Sequence, residues 1–351
     1  MSYKKVLILP GDGCGPAVIQ AAERVINAAA PMVDLIHGEI GRSAYEHTAD
    51  VLPVETEDMI ADCDSILCGH VDVSGMNVRD PVLSILRHTN MYAEMSEFYP
   101  LSKSVGNRNM DIAIIGPNTR VNQMVSEMES LEGVDADYFT SSDDTEKFFE
   151  KSVTLCEAKK KSKVALVTDS ELLPTTIEMY RNIFQKVFAA TEFQTSMMQS
   201  TDATCLLAEH PGEVEILIAG PFSGPFLRGE ASGMNGGRGL MARAFIGEDM
   251  AMYMPDTCPM RTDNRIENPT SAILASALLL LNLGFEQAHD NIVMADSKGG
   301  PRDVPPRKDH ARRGRQEDSQ GLHGRGHRIH QLTLKGYHGR RRTPLGSRGS
   351  A

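Results

Sequence analysis

The sequence predicts an α/β fold: a mixed, largely parallel sheet flanked by helices. Three observations carry this. Short strand runs alternate with longer segments of helical period over residues 1–295. Several strand runs are continuously apolar, as strands covered on both faces are. A glycine-rich turn joins the first strand directly to the first helix, the start of an alternating βαβ chain.

Val6–Leu9 is the first apolar run, and Gly11-Asp12-Gly13-Cys14-Gly15-Pro16 makes the turn after it. Residues 17–30 space Val18, Ala21, Ala22, Val25 and Ile26 as one helix face. Residues 34–39 read as a second strand, 56–63 as a short helix and 65–68 as a buried strand. Buried strands follow at 111–115, 164–168 and 215–219, with an amphipathic helix over 175–189. Asn268-Pro269-Thr270 starts a helix, with Asn as N-cap and Pro in the first turn. That helix, 271–283, is apolar nearly all round and stops at Gly284, so it belongs in a deep core or an interface.

Apolar residues make up 41% of the 351, enough for a sizeable core, and 19 Met in the absence of Trp suggest adaptable filling. No apolar run approaches the ~18 residues of a membrane span. The chain enters its first strand at once, without a leader pattern. Cysteines at 14, 63, 68, 156, 205 and 258 form no Cys-x-x-Cys pair, so reduced thiols in a cytoplasmic protein are expected. Charge divides the chain. Residues 296–351 carry 14 Lys and Arg against 5 Asp and Glu, a balance of +9; this leaves 22 against 42 in residues 1–295, a balance of −20. Such a body repels nucleic acid and anionic membranes. The cluster Lys159–Lys163 reads as a solvated helix end, and Gly233–Gly239 as a mobile loop or, alternatively, a phosphate cradle.

Four segments carry a family resemblance. Leu9-Pro10-Gly11-Asp12-Gly13-Cys14-Gly15-Pro16 resembles the N-terminal signature of the isocitrate/isopropylmalate dehydrogenases. Leu86-Arg87-His88-Thr89-Asn90-Met91-Tyr92-Ala93 is similar to their Leu-Arg-Lys-x-Leu-Asp-Leu-Tyr-Ala segment. The strand 111–115 with Asn118-Thr119 resembles their approach to Arg-Glu-Asn-Thr-Glu, and Asn268–Leu274 their adenosine-site helix start. Order and spacing agree over about 4–295. The resemblance implies an isopropylmalate-dehydrogenase-like two-domain fold. Residues 1–100 and 240–295 would form a discontinuous cofactor-side domain, 101–239 a substrate and dimerisation side, and 296–351 a basic tail. It also implies NAD or NADP, Mg²⁺ or Mn²⁺, and a homodimer or a heteromer with an active paralogue. The fold is not the ordinary dinucleotide unit, and Gly11-x-Gly13-x-Gly15 lacks the Gly-x-Gly-x-x-Gly spacing, so those glycines are read as turning a strand into a helix.

Oxidising and decarboxylating a hydroxy acid needs hard carboxylates for a divalent metal, a Lys and a Tyr to move protons, and arginines for the substrate carboxylates. The family's metal motif Gly-Asp-x-x-Ser-Asp-Glu falls on Gly224-Pro225-Phe226-Leu227-Arg228-Gly229-Glu230, without either Asp and with an Arg added. No Asp occurs between Asp202 and Asp249. The Lys position reads Thr168-Asp169-Ser170, no Lys lies in 164–185, and no Tyr follows Asn118-Thr119 before Tyr138. Gly116-Pro117 replaces Arg-Glu, and a second substrate Arg gives way near Glu94-Met95-Ser96. The resemblance leaves Arg87 and Asn118 as substrate contacts and Asn268 as the cofactor contact, with no catalytic residue and no metal ligand assigned. Arg87 reads equally as a helix-surface charge and Asn268 as a helix cap. The first expectation is a catalytically degenerate or regulatory subunit. The alternatives are an active NAD(P)-dependent oxidative decarboxylase of isocitrate, 3-isopropylmalate or homoisocitrate, and a non-enzymatic binding or scaffold protein.

The basic segment lacks the family's closing pattern, which ends like Asp-Phe-Thr-Glu-Ala-Val-Ile. Back-translating Arg302–His330 with permissive third bases and reading one nucleotide later gives a sequence containing Lys-Asp-Phe-Thr-Glu-Glu-Val-Ile. A frameshifted family C-terminus is one reading, a genuine disordered basic tail the other. The coding nucleotide sequence decides between them: the shifted frame is expected to encode that segment, and any other sequence there removes the frameshift.

Overall fold

The computed structural model describes residues 4–299 except 102–106, 108, 170, 172 and 257–267. The segment 300–351, and with it the frameshift reading, lies outside the described residues.

The chain opens with β1 (Lys4–Leu9), α1 (Gly15–Ala29), β2 (Val33–His37), α2 (Arg42–Thr48), α3 (Val54–Ala61) and β3 (Ser65–Cys68). Next come α4 (Pro81–His88), β4 (Ala93–Phe98), β5 (Ile112–Pro117), α5 (Thr119–Asn122), β6 (Gln123–Glu129) and β7 (Val134–Thr140). α6 (Ser142–Glu157), β8 (Lys163–Thr168), α7 (Pro174–Phe188), β9 (Gln194–Gln199), α8 (Ser200–Glu209) and β10 (Ile216–Ala219) follow. α9 (Gly224–Met234), β11 (Ala242–Ile246), β12 (Ala251–Pro255), α10 (Thr270–Asn282) and α11 (Glu286–Gly299) complete the described chain.

Ten strands form one sheet in the order β2-β1-β3-β12-β11-β4-β5-β10-β8-β9. Pairing is parallel except for β12–β11, β11–β4 and β4–β5 at the centre. Strands from 4–98 and 242–255 lie together on one side of that centre, and those from 112–219 on the other. The two-residue strand period sends alternate side chains to opposite faces. Val6 and Ile8 join one core with α1, α6, α7 and α10. Leu7 and Leu9 join a second core with α3 and α4. Ile112 and Ile114 join a third with α8 and α9. Helices therefore cover both faces, which is why the strands read as unbroken apolar runs. β6 and β7 form a separate two-stranded antiparallel sheet.

The N-terminal glycines are held by close backbone packing. Gly11 has φ +73°, and a Cβ there would stand 2.2 Å from the His70 carbonyl oxygen. A Cβ on Gly15 would meet the Pro10 carbonyl oxygen at 2.2 Å. Between them the buried Asp12 carboxylate accepts from the backbone N–H groups of Arg42, Ser43 and Asp72, fixing the start of α2.

Several sequence expectations are corrected. α10 begins at Thr270 with Pro269, not Asn268, as its N-cap; Asn268 lies outside the helix and accepts from Thr270 N–H at 3.1 Å. Its end matches expectation, with Gly284 at φ +87° and Phe285 N–H bonded back to the Leu280 carbonyl. The Lys159–Lys163 cluster is not simply solvated. Lys159 is buried against Glu97, and Lys161 pairs with Asp111 at 2.7 Å, partners separated in sequence and invisible to composition. Gly233–Gly239 contains the end of α9 and a turn closed by Gly237 N–H on the Ser232 carbonyl. Cys14 is disulfide-bonded, so the expectation of reduced thiols fails there; a bridge needs nearness in space, which Cys-x-x-Cys spacing does not test. Cys63, Cys68, Cys156 and Cys205 are free. Cys258 lies outside the described residues. Among the described residues no helix is long and apolar enough to cross a membrane.

Gly11→Ala combines left-handed strain with a backbone collision. It is expected to cost about 3 kcal/mol or more, the upper end of single-residue effects. Urea unfolding checks this, and an unchanged midpoint would show that the turn relaxes around a side chain.

Candidate functional site

The antiparallel strands at mid-sheet build the candidate site. On β4, Glu94 stands beside Gly116 of β5 and Phe245 of β11. It is 4% exposed, an expensive position for a carboxylate without partners. Two arginines supply them. Arg228 of α9 donates from Nη2 to Glu94 Oε2 at 2.8 Å, and Arg243 of β11 donates from Nε to Oε1 at 2.7 Å. Burial alone would raise the Glu94 pKa. The Arg228 and Arg243 guanidiniums outweigh it and hold the carboxyl below its usual range.

Arg228 is 6% exposed, and glycines make room for it. A Cβ on Gly224 would stand 3.1 Å from its Nη1, and one on Gly116 at 3.5 Å. Nη1 has no hydrogen-bond partner among the described residues. Arg243 also lies 3.9 Å from Asp256 Oδ1, whose other oxygen accepts from Arg238 Nε at 2.5 Å. Asp256 N–H donates to Ser271 Oγ at 3.1 Å, so the start of α10 is tied to the same network.

Phe245 carries two cations: the guanidinium carbon of Arg243 lies 4.8 Å from its ring centroid and that of Arg120 5.6 Å. Burial, followed by repulsion from Arg243, lowers the Arg120 pKa from its ordinary value. Arg87, at the end of α4, donates from Nε to the Arg120 carbonyl at 3.0 Å, which aims it at the same neighbourhood.

Of the residues chosen from sequence, Arg87 and Asn118 flank one corner. Arg87 is exposed, while Asn118 is 2% exposed and donates from Nδ2 to the Met91 carbonyl at 2.8 Å. Asn268 is exposed at the start of α10, with its Oδ1 accepting from both Thr270 N–H and Thr270 Oγ. No contact joins it to the other two among the described residues. The segment Pro255–Met260, which the resemblance sets against the family's His-Gly-Ser-Ala-Pro-Asp cofactor loop, is described only at Pro255 and Asp256. At the position expected for Lys, Asp169 accepts from the Ser200 hydroxyl.

In the sequence Glu94 marks a lost Arg and Arg228 an added one. The available signal was their opposite sign: an acid near a position expected to carry a base, and a base between two positions expected to carry acids, on elements that meet in space.

The divalent metal implied by the resemblance does not fit the donors at α9. Arg228 fills the buried turn, and both Glu94 oxygens are committed to guanidiniums. No group of three or more His, Cys, Asp or Glu able to hold a metal occurs among the described residues. Glu230, the surviving acid of the motif, is held protonated to higher pH by burial, with Thr204 opposing.

A family model described as isocitrate/isopropylmalate dehydrogenase matches residues 5–298. The 3-isopropylmalate dehydrogenase of Methanothermobacter thermautotrophicus is 26% identical over 305 residues, covering 85% of this chain and 91% of the relative. The isocitrate/homoisocitrate dehydrogenase of Thermus thermophilus is 24% identical over 303 residues, covering 84% and 90%. Among solved structures, isocitrate dehydrogenase from Methylococcus capsulatus superposes with a TM-score of 0.75 at 21% identity, covering 84% of this chain and 91% of that one. A beta-decarboxylating dehydrogenase from Thermococcus kodakarensis gives 0.74 at 20% identity, covering 83% and 88%. At these identities the structural matches speak for the fold.

Removing one member of the buried pair strands the other. Glu94→Gln and Arg228→Leu are each expected to destabilise by about 3–5 kcal/mol. The double substitution Glu94→Leu with Arg228→Leu should recover a large part of that loss. Because the folded Glu94 pKa is depressed, its contribution is present above the unfolded value near 4 and is lost as pH falls through the folded one. Denaturant unfolding of the four proteins at pH 7 and in acid checks both statements; additive single-mutant losses would refute the pairing.

Proposed function

The chain belongs to the isocitrate/isopropylmalate dehydrogenase family, and we propose that within it this chain is a non-catalytic or regulatory subunit. The observation that carries the reading is the Arg228–Glu94–Arg243 pairing. It puts a buried guanidinium on the helix turn where metal-dependent oxidation of a hydroxy acid calls for carboxylates. The other losses point the same way. An Asp169–Ser200 contact stands where a Lys would move a proton, and Gly116-Pro117 stands where an Arg would hold substrate. Asn268, just outside α10, serves in this reading to hold Thr270 at the helix start, whether or not NAD or NADP also binds there.

A subunit of this kind needs a companion, either a second copy or an active paralogue. Support comes from the hairpin β6–β7, which pairs with no third strand among the described residues. A lone two-stranded sheet is marginal in water. Met128, Leu131, Val134 and Phe139 on it are exposed, at 68%, 107%, 62% and 58%. Phe226, on α9, is 80% exposed. Large apolar side chains held out in this way suit burial by a partner subunit. The proposal places the assembly in the cytoplasm and divides each chain into the two lobes outlined above.

Purified full-length protein supplied with isocitrate, 3-isopropylmalate or homoisocitrate, Mg²⁺ or Mn²⁺, and NAD or NADP is expected to give no turnover. Turnover that disappears in Arg87→Ala would overturn the non-catalytic reading in favour of an active dehydrogenase. Co-purification with an intact paralogue is the expected mark of a regulatory subunit; a chain that stays monomeric and captures none is instead a scaffold.

A further inference from the structure

We propose that Lys159 is an amine nucleophile, and that the cavity it lines takes a small apolar aldehyde as a reversible imine. The proposal concerns a different part of the fold from the arginine network and does not depend on whether that network is catalytic.

Glu97 lies three residues beyond Glu94 on β4, so strand alternation turns it to the opposite face of the sheet. Lys159, just past the end of α6, meets it there. Only 8% of the lysine side chain and 10% of the glutamate side chain are exposed. Both line a cavity of about 560 Å³, a size that suits a small molecule. Ile112, Ala113, Leu281 and Val293 give the cavity apolar walls, and Lys161 and His289 add to its polar lining. An ammonium in such a place is costly. Burial, then repulsion from the Lys161 charge, pushes the Lys159 pKa down to about 8. Lys161 is itself held by Asp111 at 2.7 Å, so the repulsion is part of the fold. Desolvation and a cationic neighbour are two means by which a lysine becomes a nucleophile near neutral pH.

The neighbours supply the proton transfers that imine formation needs. Glu97, in contact with the amine, favours its charged form, but a proton moved onto the carboxylate removes both charges from apolar surroundings. His289 offers a second acceptor. Its Nδ1 lies 3.0 Å from Asp290 Oδ1, and its Nε2 is buried without a hydrogen-bond partner among the described residues. Burial lowers the His289 pKa; Asp290 opposes, and the Lys159 charge lowers it further. With Nδ1–H donated to Asp290, Nε2 keeps its lone pair. The step then balances. Lys159 passes a proton to Glu97, and the amine nitrogen bonds to the aldehyde carbon while the carbonyl π pair moves to oxygen. Through His289 Nε2 one nitrogen proton moves to that oxygen. Glu97 returns its proton as the C–O bond breaks, water leaves, and the protonated imine stays paired with the Glu97 carboxylate. No oxidant or reductant is required. The apolar walls select an aldehyde with a hydrocarbon body over a polar one.

The test is imine trapping. The full chain is incubated near neutral pH with pentanal and sodium cyanoborohydride, which reduces an imine to a stable alkyl-lysine, and each lysine is quantified by peptide mapping in a mass spectrometer. Free Nα-acetyl-lysine in the same tube is the reference amine. Lys159 of the folded chain is expected to be alkylated at least tenfold faster than the reference and faster than its neighbours Lys160 and Lys161. In urea that advantage should vanish. Glyceraldehyde, a polar aldehyde, should alkylate Lys159 more slowly than pentanal. Val293→Trp fills the cavity from α11 and should slow alkylation of Lys159 at least fivefold while leaving Lys160 unchanged. Alkylation of Lys159 no faster than the reference overturns the nucleophile, as does an advantage that persists in urea. That comparison needs no variant, so it stands even where Val293→Trp does not fold. Full reactivity in a folded Val293→Trp protein removes the cavity from the proposal, and equal rates with the two aldehydes remove its apolar selectivity.

Discussion

Glu94 held between Arg228 and Arg243 is the interaction on which the candidate site depends. It joins β4 to α9 and β11, with partners 134 and 149 positions away in sequence. A buried carboxylate needs compensation, and here each oxygen has its own guanidinium. The arrangement also fixes what its neighbours must be. Gly116 and Gly224 leave the space that Arg228 fills, and Phe245 offers its ring to Arg243 and Arg120. Packing, charge and glycine placement form one solution around one acid.

The sheet explains why this spot is available. Parallel strands on either side are covered by helices on both faces, and their backbone ends are taken up in crossovers. Only the three central pairings are antiparallel, where β4 and β11 meet strands of the opposite direction. Side chains from both lateral groups of strands reach the same place there. An acid at Glu94 and an added guanidinium at Arg228 change the site without disturbing the apolar layers, because Val6, Ile8, Ile112 and Ile114 do their packing elsewhere. Family membership and an altered site are therefore compatible: the cores specify the fold, and the polar side chains at the centre specify the chemistry of the site.

Legibility in sequence followed burial. β3 is read at its true limits, and β1, β5, β8 and β10 within two residues, because a strand covered on both faces is a plain apolar run. β4 escaped notice: Ala-Glu-Met-Ser-Glu-Phe looks like a polar loop, and its acids are tolerated only because guanidiniums and a lysine arrive from other elements. β9 and the hairpin β6–β7 were missed because their exposed faces give no apolar run. Arg87 and Asn118 could be picked out from motif position, whereas Arg120 and Arg243 belong to no local motif.

By itself the sequence determined the fold class, the succession of buried strands and helices, the glycine turn after β1, and the absence of both aspartates from the segment over α9. Each of these is written in residues near one another in the chain, where period, composition and spacing act. Tertiary structure alone decided that Glu94 and Arg228 answer each other, that Lys159 is buried rather than solvated, and that several arginines converge on Phe245. Those facts rest on distances across the sheet between residues up to 149 positions apart. Electrostatics depends on separation in space, which local sequence pattern does not contain.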